Sequence, residues 1–120
     1  IRIFGNGKQV RDVLHVKDLA NLIFMMLKQK KFAKGEAFNI GGGKQNTLSL
    51  LELVRKIEKK LNKKVHLSFF KSRFGDQKYF VNNLSKIKKM TGWSPKITTN
   101  KGLSLLFNWL IKTSYRGNPF

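Results

Sequence analysis

One arginine of the chain, Arg11, stands among strand-forming residues shortly before a predicted helix. Val10 and Val13 favour a half-buried strand, and an unpaired guanidinium among such residues is costly. The charge therefore needs a partner. Asp12 or Asp18 is one kind of partner, and a ligand phosphate is the other, because its oxygens match the planar guanidinium two at a time. Spacing alone leaves both interpretations open.

A second arginine, Arg73, lies in the predicted loop Arg73-Phe74-Gly75-Asp76. Gly75 allows the backbone to turn tightly. Asp76 can accept hydrogen bonds from a hydroxylated ligand while Arg73 contacts its phosphate. The alternative is an exposed loop with a local ion pair worth less than about 1 kcal/mol. The residue types do not choose between the two.

The sequence does not match known catalytic or phosphate-binding motifs. The glycine run 41–43 lies between a predicted strand and a helix, but a dinucleotide fingerprint needs glycine in place of Asn46 and a Walker loop needs it in place of Phe38. We interpret the run as a tight turn. The six acidic residues are dispersed, and no serine, histidine and acid arrangement is indicated. Cysteine is absent, and His15 and His66 are too far apart for a metal site.

Alternating strands and helices must position these residues, which predicts the α/β class. The predicted strands cover 1–4, 9–16, 37–40, 65–70 and 79–81, and the first two can form a hairpin around Asn6-Gly7. We expect helices to begin at Asp18, after a capping box of Ser49 and Glu52, near Asn83 or Ser85, and near Thr98. The first helix ends among residues 28–31. Its inward face is predicted to be Leu19, Leu22, Ile23, Met26 and Leu27, and the aromatic residues Phe69, Phe70, Trp93 and Trp109 are predicted to be core.

The formal net charge of +19 invites a nucleic-acid interpretation. Its lysines, however, fall mostly at helix ends and on polar faces, at positions 28, 30, 31, 34, 56, 59, 60, 63, 64, 86, 88 and 89. Only five basic residues are arginine. A solvated lysine surface is favoured, and a small basic nucleic-acid-binding module stays as the alternative function.

Length and ends also bound the interpretation. The 120 residues suit one domain or a piece of a larger protein, and the start at Ile1 favours a piece. No apolar stretch approaches the roughly 20 residues that span a bilayer, and no signal peptide is recognised. With no cysteine, we expect a cytoplasmic protein and no membrane partner.

Five segments occur in an order that resembles a known family: GNGKQVRDVLHVKDL at 5–19, FNIGGG at 38–43, NTLSLLEL at 46–53, RFGDQKYFV at 73–81 and SKIKKMTGWSPK at 85–96. They look like the C-terminal part of an extended short-chain dehydrogenase/reductase, in the NAD-dependent sugar-nucleotide epimerase and dehydratase family. Parts of three segments are most similar to its CDP-paratose (CDP-tyvelose) 2-epimerase branch. UDP-glucose 4-epimerases and related dehydratases share much of the pattern.

The resemblance implies a fragment of an extended Rossmann-type epimerase. Residues from about 10 to 43 would be the last strand and helix elements of the Rossmann sheet, packed on a missing domain, and the rest would form most of the small C-terminal substrate-binding domain. The missing Rossmann domain would bind NAD and carry the Tyr-x-x-x-Lys catalytic pair, so that this chain alone is inactive and contributes no catalytic residue. The intact enzyme would exchange a hydride between sugar and NAD. The resemblance is also compatible with an intact enzyme that forms a homodimer.

Site residues carried over from the family define a nucleotide-sugar site. The strand containing Arg2 and Phe4 would lie against the nucleotide base, Arg11 and Arg73 would bind the diphosphate, and Asp76 would hold a ribose hydroxyl. His15 would pack near the substrate cleft rather than act as a base. The family often has proline where Phe74 stands and aspartate where Asn83 stands, and neither departure removes a ligand contact. A degenerate remnant without activity is a third interpretation of the chain.

Overall fold

The computed structural model describes residues 1–29 and 35–114, which form five short strands and four α-helices. The predicted α/β class is confirmed. The strands are β1 (Arg2–Phe4), β2 (Val10–Asp12), β3 (Thr47–Ser49), β4 (Ser68–Phe70) and β5 (Tyr79–Phe80). The helices are α1 (Val16–Lys28), α2 (Leu50–Leu61), α3 (Ser85–Thr91) and α4 (Thr99–Ser114).

Two small sheets organise the strands. In one, β1 pairs in parallel with β4; in the other, β2 lies between antiparallel β3 and parallel β5. The predicted hairpin of the first two strands is therefore wrong. The turn forms, with Gly7 at φ +71°, but it packs against α2, where the Gly7 carbonyl accepts the Leu51 N–H at 3.1 Å. A β-carbon on Gly7 would collide with the Leu51 side chain.

Strand boundaries differ from the sequence prediction in several places, one of them β4, which covers 68–70 where 65–70 was predicted. Strand β2 ends at Asp12 rather than at Val16, although the Val13 N–H still donates to the Asn46 carbonyl at 2.8 Å, in register with the pairing of β2 and β3. Residues 37–40 form no strand; Phe38 and Ile40 instead pack against the core. Strand β3, next to β2, was not predicted.

Helix α1 begins two residues earlier than predicted. His15 caps it, because its Nδ1 accepts the Lys17 N–H at 3.1 Å. Asp18 is buried in the first turn, where its carboxylate accepts the N–H groups of Lys96 and Ile97 at 3.1 and 2.8 Å. Asp18 therefore holds the segment that leads into α4.

The other three helices agree with the sequence more closely. The capping box of α2 is present, and the hydrogen bond from the Ser49 N–H to the Glu52 carboxylate lowers the pKa of Glu52. Helix α3 ends at Gly92, which takes the left-handed conformation, and the Asn83 side chain accepts the Ser85 N–H at its start. At α4, the Thr98 carbonyl accepts the Gly102 N–H.

The core of the described residues is small. Leu22, Ile87 and Trp93 form its buried cluster, so two expected core residues are confirmed. Phe69, Phe70 and Trp109 are 55%, 46% and 52% exposed, and their predicted burial is wrong. Ile23 and Leu27 of α1 are exposed as well. In the described part of the chain these side chains are covered only in part, although their helical or strand spacing is amphipathic.

Lysines of the described helices are mostly exposed, as expected for a solvated surface. The predicted surface positions Lys30, Lys31 and Lys34 lie outside the described residues. Within the described ranges, no helix has the length and apolar character that crossing a bilayer requires.

Candidate functional site

All five predicted binding residues line one open cleft of about 590 Å³: Arg2, Phe4, Arg11, Arg73 and Asp76. Strand pairing explains this convergence. Because β4 pairs with β1 and β5 pairs with β2, the loop that joins β4 to β5 runs beside the segment that joins β1 to β2. Amides at both junctions fix this course, since Gly5 N–H donates to the Phe70 carbonyl and Val10 N–H to the Lys78 carbonyl.

Strand β1 supplies one wall of the cleft. Its residues alternate, so Arg2 and Phe4 share one face while Ile3 is buried on the other. The guanidinium carbon of Arg73 lies 4.0 Å from the centre of the Phe4 ring, a cation–π contact. Phe4 therefore helps to hold Arg73 at the cleft.

Strand β2 supplies the second arginine. The Arg11 guanidinium contacts the Asp76 carboxylate at 3.0 Å, and the two side chains are 39% and 32% exposed. Neither Asp12 nor Asp18, the sequence-based alternatives, pairs with Arg11. The sequence also allowed a local ion pair between Arg73 and Asp76. In the described part of the chain, the Asp76 carboxylate pairs with Arg11 instead.

Gln9 links the two sides of the cleft and was missed in the sequence. Its side-chain amide donates to the Phe4 carbonyl at 3.0 Å and, at 3.4 Å, to the Asp76 carboxylate. Its position two residues before Arg11 on the same strand segment was the available signal, since residues i and i+2 share a face.

Asp12 ties β2 to neighbouring segments of the chain and does not line the cleft. Its carboxylate accepts the Gly43 N–H at 2.9 Å, the Asn82 N–H at 3.2 Å and the Asn82 side-chain amide at 3.1 Å. These bonds tie β2 to the glycine run 41–43 and to the residue that follows β5 by two positions. Asp12 therefore sets the position of its neighbour Arg11.

The glycine run 41–43 is a close-packed turn, as the sequence indicated. A β-carbon on Gly41 would collide with the Asp12 carboxylate, and one on Gly42 with the carbonyl of Val13. Gly43 takes φ +70°. Since the chain itself fills the space beside these glycines, the run does not fit the pyrophosphate of NAD, and no NAD cradle is assigned to it.

Charge and polarity define what the cleft can bind. Three arginines and one carboxylate line it, together with an apolar wall of Val13, Leu48, Leu50, Leu53 and Phe74. Paired guanidinium groups suit a diphosphate, and the apolar wall suits a flat ring or a sugar face. Lining residues of the described chain include no histidine, lysine or cysteine.

Comparisons with known proteins agree on one family. The sequence pattern described as GDP-mannose 4,6 dehydratase matches residues 1–106. CDP-paratose 2-epimerase of Salmonella typhi is 42% identical over 107 residues, which are 89% of this chain and 32% of that protein. UDP-glucuronate 4-epimerase of Thermodesulfobacterium geofontis is 33% identical over 91% of this chain and 32% of its own length.

Solved structures show the same similarity. UDP-glucuronic acid 4-epimerase from Bacillus cereus, in complex with UDP-glucuronic acid and NAD, superposes with a TM-score of 0.81 at 29% identity, over 93% of this chain and 35% of that one. UDP-glucose 4-epimerase from Thermotoga maritima, with UDP-glucose, gives 0.76 at 26% identity, over 94% and 35%.

The chain belongs to the NAD-dependent sugar-nucleotide epimerase and dehydratase family. It spans about a third of the length of the relatives it matches. The resemblance indicated by the five sequence segments, including the similarity to CDP-paratose 2-epimerase, is confirmed.

Proposed function

We propose that this chain is the C-terminal, nucleotide-sugar-binding portion of an NAD-dependent nucleotide-sugar epimerase similar to CDP-paratose 2-epimerase. The observation that carries the proposal is the convergence of Arg11 and Arg73 on one cleft, from positions 62 residues apart (73 − 11) in the sequence. In this proposal the two guanidinium groups bind the diphosphate and Asp76 holds a ribose hydroxyl. Arg2 and Phe4 lie against the base.

An uncovered face of α1 supports packing of residues 10–43 on an upstream Rossmann domain. Exposed apolar side chains on this helix are Val16, Ile23, Phe24 and Leu27. A helix with apolar residues on more than one side is usually enclosed by other elements. An adjoining groove of about 580 Å³, between the start of α1 and α4, is lined mainly by apolar residues that include the half-exposed Trp109.

Orientation is what this chain contributes to the reaction. In the proposed intact enzyme, NAD on the upstream domain supplies transient hydride acceptance and return. Binding the diphosphate at Arg11 and Arg73 fixes the group to which the sugar is attached, so that the sugar is held in one place relative to the reacting groups. The chain alone is expected to be inactive. The assembled enzyme is proposed to be cytoplasmic and compatible with a homodimer.

A basic nucleic-acid-binding module remains the second candidate because of the net charge of +19. The described lysines that support it are spread over several helices, whereas three arginines, Arg2, Arg11 and Arg73, meet in one cleft. Phosphate recognition at two guanidinium groups is the more specific arrangement. The nucleotide-sugar function is therefore favoured.

A chimera tests the proposed function. The matched third of the Salmonella typhi CDP-paratose 2-epimerase is replaced by this chain, and conversion of CDP-paratose is measured. We expect the chimera to be active, because this chain supplies the proposed diphosphate contacts, and we expect the isolated chain to be inactive. The control is the same chimera with Arg11→Ala and Arg73→Ala, which should bind NAD and lose most of its activity.

A folded chimera that binds NAD but neither binds nor converts CDP-paratose would contradict the proposed function. Activity that survives both arginine substitutions would contradict the site. The two failures are therefore separable in one set of proteins.

A further inference from the structure

Phe74 is fully exposed on the wall of the cleft. At 108% relative exposure it is the most exposed large apolar residue among those described. An isolated exposed apolar side chain needs no explanation on an ordinary surface. Phe74, however, lines the cleft and stands between the two residues proposed to contact the diphosphate and the ribose, Arg73 and Asp76.

Two aromatic rings line the cleft, and they differ in what already covers them. The Phe4 ring carries the Arg73 guanidinium at 4.0 Å and lies 5.7 Å from the Phe70 ring. Phe74, by contrast, is fully exposed to solvent. Of these two rings, Phe74 is therefore the less covered one.

The backbone around Phe74 leaves the ring free to meet a ligand. Every residue from 69 to 80 is exposed. Gly75 takes φ +78° with open space where a β-carbon would stand, and the Asp76 N–H donates to the Arg73 carbonyl at 3.3 Å to close the turn. The turn fixes the order of the three side chains, while the side chain of Phe74 stays uncovered.

Ligand connectivity allows a nucleobase to reach this ring. In a nucleoside diphosphate the base and the diphosphate are attached to the same ribose. A diphosphate at Arg11 and Arg73, with a ribose hydroxyl at Asp76, leaves the base within reach of the residue between Arg73 and Asp76. Aromatic side chains stack on the flat faces of all bases, because every base has such a face.

We propose that Phe74 stacks on the nucleobase of the bound nucleotide. This inference rests on the proposed function and adds a residue to the site. Stacking provides affinity for the base without choosing among bases, so Phe74 increases the affinity for cytidine and uridine diphosphates alike. Base identity is then read by other contacts.

Binding of two kinds of anion to the full chain tests this inference. CDP, UDP and inorganic pyrophosphate are titrated by calorimetry into the wild-type protein and into Phe74→Ala. We expect the substitution to raise the Kd for both nucleotides about tenfold and to leave the Kd for pyrophosphate unchanged. Phe74→Tyr keeps the ring and should bind like the wild type.

Phe24→Ala is the matched control, since Phe24 is an exposed phenylalanine on α1, away from the cleft. Equal nucleotide affinity in Phe74→Ala and wild type overturns the role of Phe74 and leaves the proposed function standing. A wild-type protein that binds pyrophosphate as tightly as CDP also overturns it. Failure of the wild type to bind any of the three ligands overturns the proposed function itself.

Discussion

Replacing Arg11 or Arg73 with alanine should weaken the binding of a nucleoside-diphosphate sugar by about ten- to one-hundredfold for each substitution. Each change removes charge-assisted hydrogen bonding to the diphosphate, and we expect the loss to be about 1.5–3 kcal/mol per substitution. In the chimera, the affinity for NAD should change little, because NAD is proposed to bind on the other domain. Calorimetric titration of the variants with CDP-sugar or UDP-sugar, and of the chimera with NAD, measures both effects.

Arg55→Ala provides the control for this pair. Arg55 is an exposed arginine on α2 and does not line the cleft, so its removal lowers the net charge by the same amount. If all three substitutions weaken nucleotide-sugar binding equally, general attraction by a basic surface explains it. Equal losses for nucleotide sugar and NAD would also count against the assignment of the two arginines.

Asp12→Ala should lower the free energy of unfolding by about 2–4 kcal/mol, because it leaves partly buried donors without an acceptor. Those donors are the N–H groups of Gly43 and Asn82 and the side-chain amide of Asn82. Urea unfolding measures the change. Asp12→Asn keeps one acceptor oxygen and should lose less.

Asp76→Ala separates this stability effect from binding. Asp76 is also a carboxylate, but it lies in an exposed loop, and a partly exposed ion pair contributes under about 1 kcal/mol. We expect Asp76→Ala to unfold almost like the wild type while binding the nucleotide sugar less tightly. An Asp12→Ala protein as stable as Asp76→Ala is incompatible with the proposed role of Asp12.

Local signals predicted the parts of the fold that local chemistry determines. The capping box of Ser49 and Glu52 and the glycine at the end of α3 were identified because each satisfies backbone groups within a few residues. The tight turn at 41–43 was identified in the same way. Such interactions depend on residue type and spacing, and both can be read directly from the sequence.

Strand pairing and burial could not be predicted in the same way. Asn6-Gly7 has the composition of a hairpin turn, but the long-range pairing of β1 with β4 and of β2 with β5 decided the sheet order. Phe69 and Trp109 are apolar, yet the described elements leave more than half of each exposed. Burial depends on what packs against a side chain, and amphipathic spacing does not state whether that neighbour is present.

Residues of the candidate site were predicted individually, whereas their partners were not. Arg11 needed a charged partner, but the carboxylate came from position 76 rather than from Asp12 or Asp18. Both nearer carboxylates accept backbone N–H groups instead. The two residues of this ion pair are 65 positions apart in the sequence. They meet because the β1–β2 and β4–β5 connections run side by side, and the spacing of charges does not reveal this.

Mapping of backbone amide NMR shifts during titration with a nucleoside-diphosphate sugar shows whether the arginine-lined cleft is the binding site. We expect saturable shifts concentrated at residues 2–4, 9–13 and 73–76, with duplex DNA unable to displace the ligand at moderate salt. Shifts spread over the lysine-rich surfaces of α2 and α3, appearing with DNA and absent with the nucleotide sugar, would contradict this assignment.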